Sequence, residues 1–421
     1  MKVQASRRVS CRLCDGRDLE LVVPLSPTPV AEKYVTEEEL NDPTPAFPLD
    51  LYMCCACGHV QMLDIVNPAF LWDNFTYQSG QNKDMVNHFE DCVQKICRRI
   101  GSSPGDLVVD IGSNDGTLLR SFKKRGMTVL GVDPAKDIAA KATSSGIETI
   151  PDFLSMDLAR KIRTERGPAK CVAAFNVFAH ADDLAGMAEC VRHLLAPDGV
   201  FIFEVSYLLD IVDHMLLGTI FHEHLSHHSM KPMAGFLKRH GLDLIDVERV
   251  PIQGGSVVGL AQMSGGPHCA SPTVGELLDL ELRRGLDRPE TMKTFSERIR
   301  RLRDEVGNLT SNFGREGKIA AGYGAARSGT TLICQLDLGK TIRFIVDDHP
   351  QKVNKFSPGH HIPVVPTSEL LVRRPDYCFI LAWIHAKKIM AGNAKYLEEG
   401  GRFIVACPEV TVVGWNELSA L

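Results

Sequence analysis

Two short turns carry five cysteines, Cys11-Arg12-Leu13-Cys14 and Cys54-Cys55-Ala56-Cys57. This spacing lets each turn offer two thiolates to one tetrahedral Zn²⁺. Ligands at Cys11, Cys14, Cys54 and Cys57 would leave no open coordination position, so the expected metal contributes folding energy and does not activate water. Cys55 is a spare neighbour and His59 a substitute ligand of second rank.

A second chemistry is written in Leu107-Val108-Val109-Asp110, an apolar strand running into Gly112-Ser113-Asn114-Asp115-Gly116. Gly112 lets backbone approach a ligand and Gly116 lets the following helix pack close. The next strand, Val129 to Val132, ends at Asp133, where a carboxylate can accept both hydroxyls of a ribose. Asn114 and Asp115 would crowd a pyrophosphate but suit an ammonium and a sulfonium, so the ligand expected here is S-adenosylmethionine. Asp110 closes the strand that carries this loop. Asp152 and Phe153 can flank the adenine, and Asn176 closes the tip of a later strand.

A third chemistry sits in Phe221-His222-Glu223-His224-Leu225-Ser226-His227-His228, which gathers four of the chain's fifteen histidines. The spacing lacks the glutamate of a zinc-protease helix, so acid–base work is the better reading: histidine titrates near neutrality and a carboxylate stands beside it. His180 falls just past a strand tip.

These groups need scaffolding, and 421 residues are enough for two or three domains. The proline-rich, cysteine-bearing start reads as a ribbon-like zinc domain (1–75). A helix over 82–100 leads into alternating strands and helices (76–265), the pattern of a Rossmann-like parallel sheet of the class I methyltransferase kind. A charged stretch (266–313) reads as a solvated helical linker. A second small α/β unit (314–421) has strands at 319–323, 342–347, 362–363, 377–381 and 403–406. The expected fold is therefore α/β: zinc ribbon, methyltransferase sheet, second Rossmann-like domain. A net charge of −5 offers no broad basic face, which argues against nucleic acid. Neither a secretory apolar core nor a membrane-length run is found, so the cytoplasm is expected, with thirteen cysteines serving as ligands or buried thiols.

Together the pieces resemble the nucleotide-sugar C-methyltransferases that make branched deoxysugars from 4-keto precursors. The resemblance runs from the zinc ribbon through Phe75-Thr76-Tyr77-Gln78-Ser79, the Ile111–Gly116 loop, Asn176–His180, His222–Ser226 and Gly254-Gly255-Ser256 to Gly322-Tyr323-Gly324-Ala325, Val346-Asp347 and Pro375-Asp376-Tyr377. It implies methylation at carbon 3 of a thymidine-diphosphate sugar, through an enolate, with a base among His224, Glu223 and Tyr77 and with His180 in the same pocket. The expected arrangement has Glu223 polarising His224, while Ser256, Tyr323 and Arg327 meet the acceptor, Arg327 at its diphosphate. A monomer is expected. The chain departs from the family pattern at Phe221, Gln253 and Val258, where tyrosine, histidine and arginine are usual. Alternatives from other classes are methylation of a different small molecule, a methyltransferase that also reduces the ketone, and a non-catalytic adenosylmethionine-binding protein.

Overall fold

A computed structural model describes residues 5–72 and 77–418. Phe75 and Thr76, and with them the boundary expected between the first two domains, lie outside the described residues.

At the amino end, β1 (Leu19–Val23), β2 (Leu51–Cys54) and β3 (Val60–Met62) form an antiparallel ribbon that carries the cysteine turns. The helix read from its apolar spacing is α1 (Lys83–Ile100). Asn82 caps it by accepting from the N–H groups of Asp84 and Met85, and Met85, Phe89, Cys92, Val93 and Ile96 form its buried stripe.

The central strands follow in chain order: β4 (Leu107–Ile111), β5 (Thr128–Val132), β6 (Thr149–Ile150), β7 (Ala169–Phe175) and β8 (Leu195–Ser206), with α2 (Thr117–Lys123) after the glycine loop. Beyond them, β9 (Ser226–His227) leaves this sheet and pairs antiparallel with β3, so the catalytic region supplies the outer strand of the zinc ribbon. Next come β10 (Leu242–Val250) and β11 (Ser256–Met263), giving a seven-stranded sheet of order β6-β5-β4-β7-β8-β11-β10. The first five strands are parallel, as expected, but β10 and β11 run antiparallel. The short 251–255 connection is too brief for the crossover that parallel pairing needs.

The charged stretch forms α3 (Pro272–Arg283) and α4 (Pro289–Thr310). It is not a solvated linker: α4 buries Met292, Phe295, Ile299, Leu302 and Val306 at three- and four-residue spacing, while its arginines take the other face.

The last unit contains β12 (Ala320–Tyr323), α5 (Arg327–Gln335), β13 (Ile342–Val346), β14 (Val364–Val365), β15 (Tyr377–Ile380), β16 (Arg402–Val405) and β17 (Thr411–Val413). Their order is β14-β13-β12-β15-β16-β17, parallel except for β17. The strand expected at 362–363 lies two residues later, since Pro363 has no N–H for a ladder.

The three units share one apolar core. Gln335 on α5 exchanges hydrogen bonds with the Ser26 backbone, Val35 and Phe356 exchange theirs, and Thr331 Oγ1 donates to the Ile220 carbonyl at 2.9 Å. The 219–228 histidine segment thus sits where zinc ribbon, catalytic sheet and second sheet meet. No helix among the described residues is long and apolar enough to cross a membrane.

Candidate functional site

At the carboxyl end of β4 the chain turns through Gly112, whose φ is 67°. A Cβ there would stand 2.4 Å from Val177 Cγ2, so only glycine fits between the loop and the turn after β7. Asp133 at the end of β5 accepts the Asn114 N–H and the Ala135 N–H, each at 2.8 Å, which fixes its carboxylate beside the glycine loop. Asp110 is buried with Oδ1 unpartnered among the described residues, and burial together with the charge of Asp133 raises its carboxyl well above the usual range. A buried acceptor oxygen, a glycine cradle and a fixed carboxylate fit a cationic adenosyl donor. Asp152 and the exposed Phe153 stand just past β6.

Asn114 and Asp115 are used differently from the expectation. The Asn114 amide donates to the Tyr77 carbonyl and accepts the Ser79 N–H, both at 2.9 Å, while Asp115 accepts the Gly80 N–H at 2.9 Å and the Thr117 hydroxyl at 2.6 Å. Both side chains fasten the 77–80 segment over the donor loop.

Beyond β7 and β8 lies the histidine cluster. His224 Nδ1 is 2.7 Å from the Thr219 carbonyl oxygen. A carbonyl only accepts, so Nδ1 carries the proton and Nε2 keeps its lone pair. Burial pushes the imidazole down to about 4, leaving it neutral at pH 7. The His180 ring stacks on it at 5.1 Å and 21°, and Phe221 packs at 4.0 Å. Burial lowers His180 as well. The expected polarisation by Glu223 is corrected: the backbone of Thr219 orients His224. The Glu223 carboxyl is buried, with Oε2 unpartnered among the described residues, and burial pushes it up against the opposing pull of Arg327.

Arg327 opens α5 and reaches this cluster, its guanidinium 5.9 Å from the Phe221 ring and 3.5 Å from Glu32 Oε1. Its charge bears on Tyr77, His180, Glu223 and His224 alike. Tyr77 is 39% exposed, and burial of its hydroxyl end raises the phenol. The two other acceptor-side candidates make contacts of their own. Ser256 is fully buried, its hydroxyl 3.4 Å from the Ile252 carbonyl, and presents no surface. Tyr323, partly buried, packs on Phe403 and accepts from Asn393, against the apolar cluster on the other face of the second sheet.

The sulfurs of Cys11 and Cys57 are 3.7 Å apart, those of Cys14 and Cys54 3.5 Å, and all four lie within 4.8 Å. A tetrahedron with bonds of about 2.3 Å has edges of about 3.8 Å. The set fits Zn²⁺. Cys55 is exposed, and His59 instead contacts the Ser226 hydroxyl at 3.2 Å and stacks on His228.

Sequence reasoning missed three features. Glu204 on β8, wholly buried, hydrogen-bonds His88 of α1 and accepts from Asn176 Nδ2 at 3.0 Å; its only signal was a carboxylate inside an apolar strand. Lys352 Nζ is 3.0 Å from Glu32 Oε2 and donates to the Ala325 carbonyl at 2.8 Å, beside Arg327. Asp347, just past β13, accepts the Ala325 and His349 N–H groups at 2.7 Å each. This repeats the arrangement of Asp133, so each sheet carries a carboxylate held by two backbone N–H groups past a strand end.

Comparison with known proteins gives three family matches: a putative zinc binding domain over 11–72, a methyltransferase domain over 87–247 and a C-methyltransferase C-terminal domain over 251–408. The C-methyltransferase NovU of Streptomyces niveus is 35% identical over 404 residues, 96% of each chain. A ubiquinone biosynthesis O-methyltransferase of Pasteurella multocida is 28% identical over 121 residues, 26% of this chain and 49% of that protein. Among solved structures, magnesium protoporphyrin IX methyltransferase from Synechocystis, 20% identical, covers 45% of this chain and 90% of that one with a TM-score of 0.34.

Proposed function

Because the chain belongs to the zinc-binding, S-adenosylmethionine-dependent C-methyltransferases, we propose that it methylates carbon 3 of a thymidine-diphosphate 4-keto-deoxysugar. The observation that carries this reading is the neutral His224 imidazole, with its free Nε2 lone pair held in the field of Arg327.

Carbon has no lone pair to methylate, so this reaction needs a base and a cation to steady the resulting enolate. The 4-keto group acidifies the proton on carbon 3, and His224 Nε2 removes it. Negative charge then grows on the keto oxygen, where the Tyr77 hydroxyl donates to it in the field of Arg327. The His180 ring limits rotation of the base. Glu223, the neighbouring carboxylate in sequence with Oε2 unpartnered among the described residues, is the group that receives the proton afterwards. Bound adenosylmethionine supplies the electrophilic methyl, with Asp133 and Asn176 at the strand tips as its contacts and Asn114 and Asp115 closing the segment over it. The enzyme's own contribution is orientation and exclusion of water.

On the acceptor side, Asp347 takes the nucleoside ribose, while Arg327, Lys352 and the amino end of α5 face the diphosphate. One chain supplies every group, so a monomer suffices. Thiolates that hold zinc must stay reduced, which fits a cytoplasmic enzyme.

The test is incubation with adenosylmethionine and a thymidine-diphosphate 4-keto-2,6-dideoxysugar in deuterated water, following methyl transfer and exchange at carbon 3. Transfer with exchange supports base and acceptor together. Donor binding with neither would keep the methyltransferase and discard the sugar.

A further inference from the structure

Arg12 lies inside the first cysteine turn, between two zinc ligands, yet its side chain is wholly buried and points away from the metal site. Its Nε donates to Asp182 Oδ1 at 3.0 Å, and its Nη1 donates to the Met62 carbonyl, to Gln61 Oε1 at 3.1 Å and to the Leu225 carbonyl at 3.4 Å. Leu225 directly follows His224, and Asp182 comes two residues after His180. One guanidinium therefore holds both loops whose imidazoles stack in the cleft. The backbone repeats the link: the Met62 N–H donates to the Leu225 carbonyl at 2.9 Å, and the Ser226 N–H donates to the Ala179 carbonyl at 3.1 Å.

From this geometry we infer that Arg12 is a positioning residue for the base, transmitting the rigidity of the zinc turn to His180 and His224. The planar fork explains why arginine stands there, since Nε and Nη1 reach four acceptors from two rigidly spaced nitrogens, which the single nitrogen of an ammonium cannot do. Burying a guanidinium is costly unless it is paired; Asp182 and the carbonyls pair Nε and Nη1, while Nη2 has no partner among the described residues. A merely structural anchor would not need to bridge the two histidine loops; apolar packing would serve as well. The zinc ribbon, on this account, is a jig for the catalytic histidines, placed behind them and away from the donor.

The inference rests on His224 being the base, so its test has one arm that needs no acceptor. Arg12→Met and Asp182→Asn cut the bridge from opposite ends, and Asp182, 44% exposed, tolerates the change even if Arg12→Met does not fold. Each variant is expected to lower kcat by a factor of about 10 to 100, the cost of misplacing a reacting group by about 1 Å. Donor affinity, measured by calorimetry, should stay within about two-fold of wild type, and the double variant should lose no more than the worse single one. Without acceptor, the ring resonances of His224 in histidine-labelled protein, assigned with His224→Ala, should move in Asp182→Asn. Unmoved His224 resonances would overturn the brace whatever the acceptor is. So would a wild-type kcat, additive losses, or donor affinity falling in step with kcat. If the resonances move but no variant or wild type turns over the sugar, the acceptor assignment has failed and the brace stands.

Discussion

The imidazole Nδ1 of His224 lies 2.7 Å from the carbonyl oxygen of Thr219, five residues earlier in the chain. That one contact decides which nitrogen can act as a base, because the backbone oxygen claims the only proton of the neutral ring. A change of tautomer would set the lone pair of Nδ1 against the carbonyl oxygen.

His224→Ala should therefore abolish most methyl transfer, by a factor of about 10² to 10⁴, with donor affinity unchanged. In the wild type the base form is present wherever the pH exceeds about 4. The pH profile of kcat/KM should accordingly stay level from neutrality to about pH 5, one unit above that value, and fall toward pH 4. An acid limb centred near 6.5 would mean that His224 is far more hydrated than its burial indicates.

Stability should follow the same histidines. Burial lowers His222 to about 4, His224 to about 4, His227 to about 3 and His228 to about 4. In the unfolded chain each titrates near 6.5, so the unfolded state takes up protons first as the solution is acidified. Stability from these groups is then complete above pH 6.5 and is lost as the pH falls through 4, each contributing up to about 1.4 kcal/mol per pH unit in that window. Melting temperature measured from pH 8 to pH 4.5 should be flat and then drop steeply. A level curve down to pH 5 would contradict this account.

The paired carboxylates allow a clean separation of the two ligands. Asp133→Asn loses one of two backbone hydrogen bonds at the donor loop and should weaken adenosylmethionine binding about ten-fold while sparing the acceptor KM. Asp347→Asn should do the reverse. Equal effects of both variants on one ligand would refute the assignment of one nucleoside to each sheet.

Metal analysis should find one zinc per chain, released by a thiol reagent in parallel with loss of the folded ribbon. Cys14→Ser should lower the melting temperature by about 10 °C or more, since a structural zinc site carries folding free energy. A metal-free protein with the melting temperature of the wild type would remove the structural role.

Much of this was legible in the residues themselves. The zinc turns, the glycine loop with its flanking aspartates and the stripe of α1 are local: each follows from side chains a few residues apart, which is the range over which capping, periodicity and turn geometry act. The antiparallel end of the large sheet and the buried face of α4 were harder, because pairing partners and neighbours across the core are not written in local spacing. The charged residues of α4 are as visible in its sequence as its apolar ones, and only packing against β1 shows which face is covered.

By itself, then, the sequence determined what each segment can offer: four thiolates, a donor cradle and an imidazole with a carboxylate beside it. The tertiary structure alone decided how those offers are spent. It gave His224 to Thr219 and not to Glu223, Asn114 and Asp115 to the 77–80 segment, and Arg12 to the loops of His180 and His224. It also turned Tyr323 away from the cleft and buried Ser256. The reason is that a hydrogen bond or ion pair depends on a few ångströms between groups far apart in the chain. Arg12 and Leu225, 213 residues apart in sequence, meet only after three units have folded onto one core.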